Sequence, residues 1–370
     1  MTPIRILVVD DSVVIRKLLS ATLSGDPAFE VVGTASDGRL ALAKIPVLKP
    51  DLVTLDVEMP VMDGLETLAA LRKSYPRMPV IMFSTLTEHG AAATLEALAL
   101  GASDYATKPS NTGSPAVAIE RIRVELIPKI KALCGAASLK LVPLAGSHPA
   151  MKVRSPSNPR IEVVAIGTST GGPNALAEVL PQIPNDFPVP IVVVQHMPPI
   201  FTRLLADRLA KQSAILIDEG RAGAILRAGQ AWIAPGDFHM KVLRATGDCR
   251  LTLNQGPPEN SCRPAVDVLF RSVAQAYGAN VLAVVMTGMG ADGVLGAQEI
   301  RNAGGNVIVQ DEASSVVWGM PGLVHASGLA DATYPLDRLA TEITRRVLQS
   351  RSSPAAAGVK SYSTLEHRAQ

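Results

Sequence analysis

The chain has 370 residues, room for two or three domains of ordinary size, and is 47% hydrophobic and 18% charged, as globular proteins are. Its 35 basic and 33 acidic residues leave a net charge of +2, which argues against nucleic acid or a membrane surface held by bulk electrostatics. No apolar run approaches the roughly 20 residues of a membrane span. The strand pattern begins almost at Met1, so no signal peptide is expected. Cys134, Cys249 and Cys262 are scattered without metal-ligand spacing, which fits a reducing cytoplasm.

In chain order, short apolar runs predict strands at Ile4–Val9, Phe29–Ala35, Leu52–Val57, Val80–Thr85 and Asp104–Thr107. Amphipathic segments such as Ser12–Leu23 and Leu65–Tyr75 lie between them, and Ser114–Leu133 reads as a closing helix. The runs are apolar throughout rather than alternating, as parallel strands buried on both faces require. Five such units predict a doubly wound, flavodoxin-like parallel sheet over residues 1–125. A helix end and a linker rich in Ala, Ser, Pro and Gly follow over residues 126–158.

The same grammar restarts and predicts a second α/β domain, mostly parallel, over residues 159–349. Strands are expected at Ile161–Ile166, Val189–Val194, Ala214–Ile217, Ala231–Ala234, Arg250–Leu253, Val281–Met286 and Asn306–Val309. Helices are expected at Asn174–Leu180, Phe201–Lys211, Ala265–Tyr277 and Gly293–Ala303. Residues 350–370 are small, polar and aperiodic, and are expected to be disordered.

In the first sheet Asp10, Asp11 and Asp56 all follow strands, so their carboxylates meet at the edge where open parallel sheets bind ligands. Such acids repel one another unless a hard cation such as Mg²⁺ neutralises them. Ser84 and Lys108, at the ends of the fourth and fifth strands, bring a hydroxyl and a fixed cation to the same point. A carboxylate attacking phosphorus suits this set; helix capping by Asp10-Asp11 is the plainer alternative.

The pieces Val8-Val9-Asp10-Asp11-Ser12, Leu55-Asp56-Val57-Glu58-Met59-Pro60 through Asp63-Gly64, Ser84-Thr85 and Lys108-Pro109 resemble the receiver domain of two-component response regulators. The resemblance implies Asp56 as phosphoacceptor and Asp10 and Asp11 as metal-site acids, with the Glu58 backbone carbonyl as a further ligand. It implies Ser84 as switch hydroxyl, Lys108 as the phosphate-sensing cation and Tyr105 as an aromatic that reorients with Ser84.

In the second domain Gly167-Thr168-Ser169-Thr170-Gly171 has the G-x-S-x-G form of a nucleophile elbow, although Ser in such a turn also serves simply to cap a helix. His196 ends the next strong strand, with His239 and His325 as rivals, and Asp292 follows a later one. The order Ser, His, Asp is not that of α/β-hydrolases, but a triad is defined by geometry and role. His196 would take the Ser169 proton, Asp292 would orient the imidazole, and amides near Met289 would face the oxyanion. A rival reading takes Gly288-x-Gly290-x-x-Gly293, with Asp311 18 residues on, as a dinucleotide fingerprint of an oxidoreductase. Against it, Asp292 would set a negative charge beside the pyrophosphate. A non-enzymatic response-regulator module is a third reading. Cys262 has no evident adjacent base and reads as packing, whereas Met286, Met289 and Met320 suit core filling and substrate contact equally.

The segments Ile166–Pro173, Val193-Val194-Gln195-His196-Met197, Cys262–Phe270, Met286–Gly293 and Gln310–Pro321 resemble the catalytic domain of the chemotaxis protein-glutamate methylesterases and glutamine deamidases, with Thr168 where many relatives carry Ala. The resemblance implies a triad of Ser169, His196 and Asp292 with Met289 near the oxyanion, and no cofactor for the ester reaction. It implies methylated chemoreceptors as substrate, a chemotaxis histidine kinase as phosphodonor, and a receiver that covers the active-site edge until Asp56 is phosphorylated.

Overall fold

The structure, a computed structural model, describes residues 2–109, 114–135, 159–245 and 247–352. Nearly all of the expected linker, and the expected tail beyond residue 352, lie outside the described residues.

The N-terminal unit runs β1 (Ile4–Val9), α1 (Val13–Ser24), β2 (Phe29–Ala35), α2 (Gly38–Leu48), β3 (Leu52–Asp56), α3 (Gly64–Ser74), β4 (Val80–Ser84), α4 (Glu88–Ala99), β5 (Asp104–Thr107) and α5 (Pro115–Leu133). Its five strands pair in parallel in the order β2-β1-β3-β4-β5. Every residue of β3 and β4 is buried, as strands covered on both faces must be. Polar side chains start the helices: Ser12 accepts from the Ile15 N–H, and Asp63 and Glu66 form a reciprocal capping box on α3.

The C-terminal unit continues with β6 (Val163–Thr168), α6 (Gly172–Val179), β7 (Ile191–Gln195), α7 (Phe201–Gln212), β8 (Leu216–Glu219), β9 (Gln230–Ile233), β10 (His239–Ala245) and β11 (Asp248–Asn254). Then come α8 (Val266–Tyr277), β12 (Val281–Val285), α9 (Val294–Asn302), β13 (Asn306–Gln310), α10 (Met320–Ala326), β14 (Ala332–Tyr334) and α11 (Leu336–Ser352). Seven strands form one parallel sheet ordered β14-β13-β12-β6-β7-β9-β8.

Four departures from the sequence reading have local causes. The strand expected at Arg250–Leu253 belongs to an antiparallel hairpin, β10 with β11, outside the large sheet. β10 went unrecognised because its exposure partly alternates, the signature of a strand with one wet face. The strand expected at Ala214–Ile217 sits two residues later, and β14 is three residues long, too short to leave a period. The two units touch: α4 packs against α6 and α7, and Tyr105 in β5 stacks on Phe201 at the start of α7, with ring centroids 4.9 Å apart.

Candidate active site and phosphoacceptor pocket

β6 occupies the middle of the large sheet. From it the chain crosses to β7 on one side, while β12 lies on the other, and clefts at such switch points bind ligands. Thr168 and Gln195 are the last register pair of β6 and β7, so Ser169 and His196 leave neighbouring strands about 4.8 Å apart. The Ser169 N–H donates to Thr287 O at 3.0 Å, and Gln195 Nε2 donates to Ser169 O at 3.0 Å. Gly171, in the left-handed region at φ 78°, turns the chain into α6. Gly288 lets β12 approach: a Cβ there would lie 2.9 Å from the Ser169 Cβ and 2.5 Å from Met320 Sδ.

Asp292 is buried and saturated with donors. One oxygen receives His196 Nε2 at 2.8 Å and the Val266 N–H at 2.6 Å. The other receives the Asp267 N–H at 2.9 Å and Asn260 Nδ2 at 3.0 Å. Because α8 has no side-chain cap of its own, Asp292 satisfies its N-terminal amides from across the fold. Burial opposes its charge, but His196 and the amide donors outweigh burial and hold its pKa below the usual carboxylate value. Burial disfavours the charged imidazole too, yet hydrogen bonds to Asp292 and Cys262 hold His196 up at about 10.

Two supporting residues were not picked out as such from the sequence. Asp267, buried on α8, accepts from the Gly293 and Gly296 N–H groups at 3.0 and 2.6 Å and so fixes the turn that carries Asp292. Burial, joined by the Asp292 charge, pushes its pKa up to about 6. Asn260 bridges the two acids, donating to Asp267 Oδ2 and Asp292 Oδ1 at 3.0 Å each. An acid inside the apolar run Val266-Asp267-Val268-Leu269-Phe270 was the available signal.

The structure thus brings His196 and Asp292 into contact and sets Ser169 beside them, but Ser169 Oγ makes no hydrogen bond to the imidazole. His196 Nδ1 faces Cys262 Sγ at 3.5 Å instead. The expectation that Cys262 lacks an adjacent base is therefore corrected: distant in sequence, the base meets it where the loop before α8 packs against the end of β7. The Met289 N–H, half-buried after β12, has no hydrogen-bond partner among the described residues. The rival histidines are engaged elsewhere, His239 with Pro257 O at 2.9 Å and His325 with Thr333 Oγ1 at 3.2 Å. The dinucleotide reading is not supported. Asp311 spends its carboxylate on the Ser314 N–H and hydroxyl at 3.0 and 2.6 Å, and Asp292 is committed to His196.

In the small sheet, oxygens of Asp10, Asp11 and Asp56 lie within 4.8 Å of one another. Lys108 Nζ reaches Asp10 Oδ2 at 2.9 Å and Asp56 Oδ2 at 2.6 Å. Among the described residues Asp56 gains only one further donor, the Glu58 N–H at 3.3 Å. Burial, outweighing Lys108 and helped by the Asp10 charge, pushes its pKa up to about 6. The residues fit a hard divalent cation, with three clustered carboxylates and one lysine that does not balance them. Ser84 Oγ donates to Gly90 O at 3.0 Å, turned towards α4. Tyr105 is buried under Lys129, whose Nζ lies 4.7 Å from its ring. A cavity of about 760 Å³ opens beside this pocket, lined by Asp11, Glu58, Asp63, His89 and Glu96 among others. Among the described residues no helix is long and apolar enough to cross a membrane.

Comparison with known proteins matches both halves of the chain. Residues 164–343 match the CheB methylesterase family and residues 6–119 the response regulator receiver domain. A protein-glutamate methylesterase/protein-glutamine glutaminase of Trichodesmium erythraeum is 53% identical over 94% of this chain and all of its own length. Its counterpart in a Nocardioides species is 51% identical over 98% of this chain and all of its own. The solved Thermotoga maritima CheB methylesterase catalytic domain is 40% identical, covering 50% of this chain and 98% of its own, with a TM-score of 0.49. With a receiver ahead of an esterase sheet and relatives matched end to end, this chain belongs to the protein-glutamate methylesterase/protein-glutamine glutaminase family.

Proposed function

We propose that this protein hydrolyses glutamate γ-methyl esters on chemoreceptors, releasing methanol, and deamidates receptor glutamines, under control of phosphorylation at Asp56. The observation that carries the reading is the 2.8 Å His196–Asp292 contact at a sheet switch point, one register step from Ser169. Asp292 holds Nε2–H, and in the deprotonated form of His196 Nδ1 takes the Ser169 proton as Oγ attacks the ester carbonyl. The Met289 N–H meets the oxyanion, a contact typically worth about 3–4 kcal/mol of barrier. Imidazolium returns its proton to the departing methoxide. Water then repeats the sequence on the acyl-serine, and an amide substrate releases ammonia by the same path.

The receiver spans residues 1–125 and the esterase 159–349, with α11 carrying the latter to Ser352. Asp10, Asp11, Asp56 and the Glu58 carbonyl would hold Mg²⁺, which supplies charge neutralisation for the carboxylates and the incoming phosphoryl oxygens. Asp56 is the phosphoacceptor from a chemotaxis histidine kinase, and Lys108 and Ser84 sense the phosphoryl group, with Tyr105 following Ser84. The switch acts through α4, whose partners α6 and α7 directly follow Ser169 and His196. The setting is cytoplasmic.

The test is methanol release from methylated receptors, with and without a small-molecule phosphodonor and Mg²⁺. Ser169→Ala abolishes release and Asp56→Asn abolishes only the stimulation. Normal turnover by the Ser169 variant would discard the proposed nucleophile.

A further inference from the structure

The base proposed for Ser169 sits against a second nucleophile. Cys262 Sγ lies 3.5 Å from His196 Nδ1, and His196 Nε2 is held by Asp292, so thiol, imidazole and carboxylate form a line of their own. The sulfur is fixed there. Glu259 and Cys262 exchange two backbone hydrogen bonds, of 3.1 and 2.8 Å, across a turn in which Asn260 and Ser261 both take positive φ. The next side chain, Arg263, is anchored by an ion pair to Asp237. Cys262 is also partly exposed, so a small reagent reaches it.

The other two cysteines differ on each count. Cys249 is buried beside Tyr277, and burial pushes the Cys134 thiol up to about 11, with the Asp51 charge adding to it. Among the described residues neither is paired with a histidine.

With Nε2–H donated to Asp292, Nδ1 and the Cys262 sulfur share the remaining proton, and the hydrogen bonds to Asp292 and Cys262 favour its residence on the imidazole. Proton transfer yields a thiolate beside an imidazolium that Asp292 stabilises, the arrangement that makes cysteines reactive. We propose that Cys262 is a modification site for peroxide-class oxidants, and that its oxidised form withholds His196 from Ser169. The second clause rests on the reading of His196 as the base for Ser169. In the reaction the thiolate sulfur attacks one peroxide oxygen; the S–O bond forms as the O–O bond breaks. The leaving hydroxide takes the imidazolium proton and departs as water. Sulfur is oxidised by two electrons and peroxide reduced by two. The sulfenic acid that results keeps Nδ1 engaged, and a thiol reductant restores it by way of a mixed disulfide.

The experiment treats the full chain with hydrogen peroxide in the presence of a sulfenic-acid trap and, separately, with iodoacetamide. Labelling of each cysteine is followed by peptide mass spectrometry, and methanol release is assayed in parallel. Cys262 should label about tenfold or more faster than Cys134 and Cys249, and His196→Gln should remove that advantage. Peroxide without the trap should abolish methanol release in step with Cys262 oxidation, and dithiothreitol should restore it. Cys262→Ser should keep its own untreated activity under the same peroxide dose. Labelling of Cys262 no faster than that of Cys134, or full modification of Cys262 with methanol release unchanged, overturns the proposal. The labelling rates and their dependence on His196 do not require turnover, so a failure of the esterase reading, seen as Ser169→Ala retaining release, is distinguishable from a failure here.

Discussion

Asp56 and Asp292 are equally buried, each 2% exposed, and both stand at the carboxyl edge of a parallel sheet, yet burial wins at one and loses at the other. Asp292 has four donors, two of them the first amides of α8, and stays ionised. Asp56 has Lys108 and one long backbone contact, faces Asp10, and is pushed up to about 6. The saturated acid is suited to orienting a base. The under-satisfied acid leaves lone pairs on both oxygens without donors, as the proposed phosphoacceptor and cation ligand needs, and its fold bears a cost for doing so.

The largest effect expected from this contrast is at Asp292. Asp292→Asn should lower methanol release by about 10³–10⁴-fold, because the amide no longer fixes the imidazole tautomer. Asp292→Ala should in addition destabilise the fold by about 3 kcal/mol, since the Val266 and Asp267 amides and Asn260 are left unpaired at about 1–3 kcal/mol each. Denaturant unfolding of the two variants separates these effects. Equal stability of Asp292→Ala and the parent would break the contrast.

Asp56→Asn should move stability the other way, by about 1–2 kcal/mol in metal-free buffer at pH 7. A carboxyl raised from 3.8 to about 6 disfavours folding above pH 6 by up to about 3 kcal/mol, and Lys108 losing one of its two acids offsets part of the gain. Asp56 contributes stability in full below pH 3.8 and loses it as pH rises to about 6, so the gap between variant and parent should open across that window. His196 acts higher. Raised from 6.5 to about 10, its contribution is whole below pH 6.5 and disappears as pH climbs through 10, a decline that His196→Gln should flatten.

Asn260→Ala sharpens the comparison further by removing one of the four donors to Asp292 and exposing Asp267 to its neighbour's charge. Methanol release should fall about tenfold, and the ascending limb of the pH–rate profile, where His196 loses its proton, should shift with it. A purely structural role would lower thermal stability without moving the pH profile.

What could be read from the sequence divides along the same physical line. Strands covered on both faces write continuous apolar runs, so β1, β3, β6, β7 and β12 were legible, and with them the residues that follow: Asp10, Asp56, Ser169, His196 and Asp292. The hairpin β10–β11 has one wet face and leaves only a broken period. Asn260, Asp267 and Cys262 come from a loop and a helix start whose approach to β7 and β12 is tertiary, with no local pattern to announce it. The Cys262–His196 contact spans 66 residues and depends on two positive-φ positions that the letters Asn-Ser do not dictate.

The smallest effect concerns how the two sites communicate. Asn174, near the start of α6, donates to Leu98 O on α4 at 2.7 Å, and Arg208 on α7 donates to Leu95 O at 2.6 Å. If the unphosphorylated packing holds the esterase edge covered, deleting the neutral Asn174 hydrogen bond weakens it by about 1 kcal/mol, or about fivefold in the open population. Asn174→Ala should therefore raise methanol release about fivefold without phosphodonor and leave the stimulated rate unchanged. Arg203→Ala serves as the internal control. Its ion pair to Glu88 is 51% and 69% exposed, and such pairs contribute little, so its basal rate should stay within about twofold of the parent. A basal rate that responds to Arg203 and not to Asn174 would place the restraint at the wet rim of the interface rather than along the α4 carbonyls.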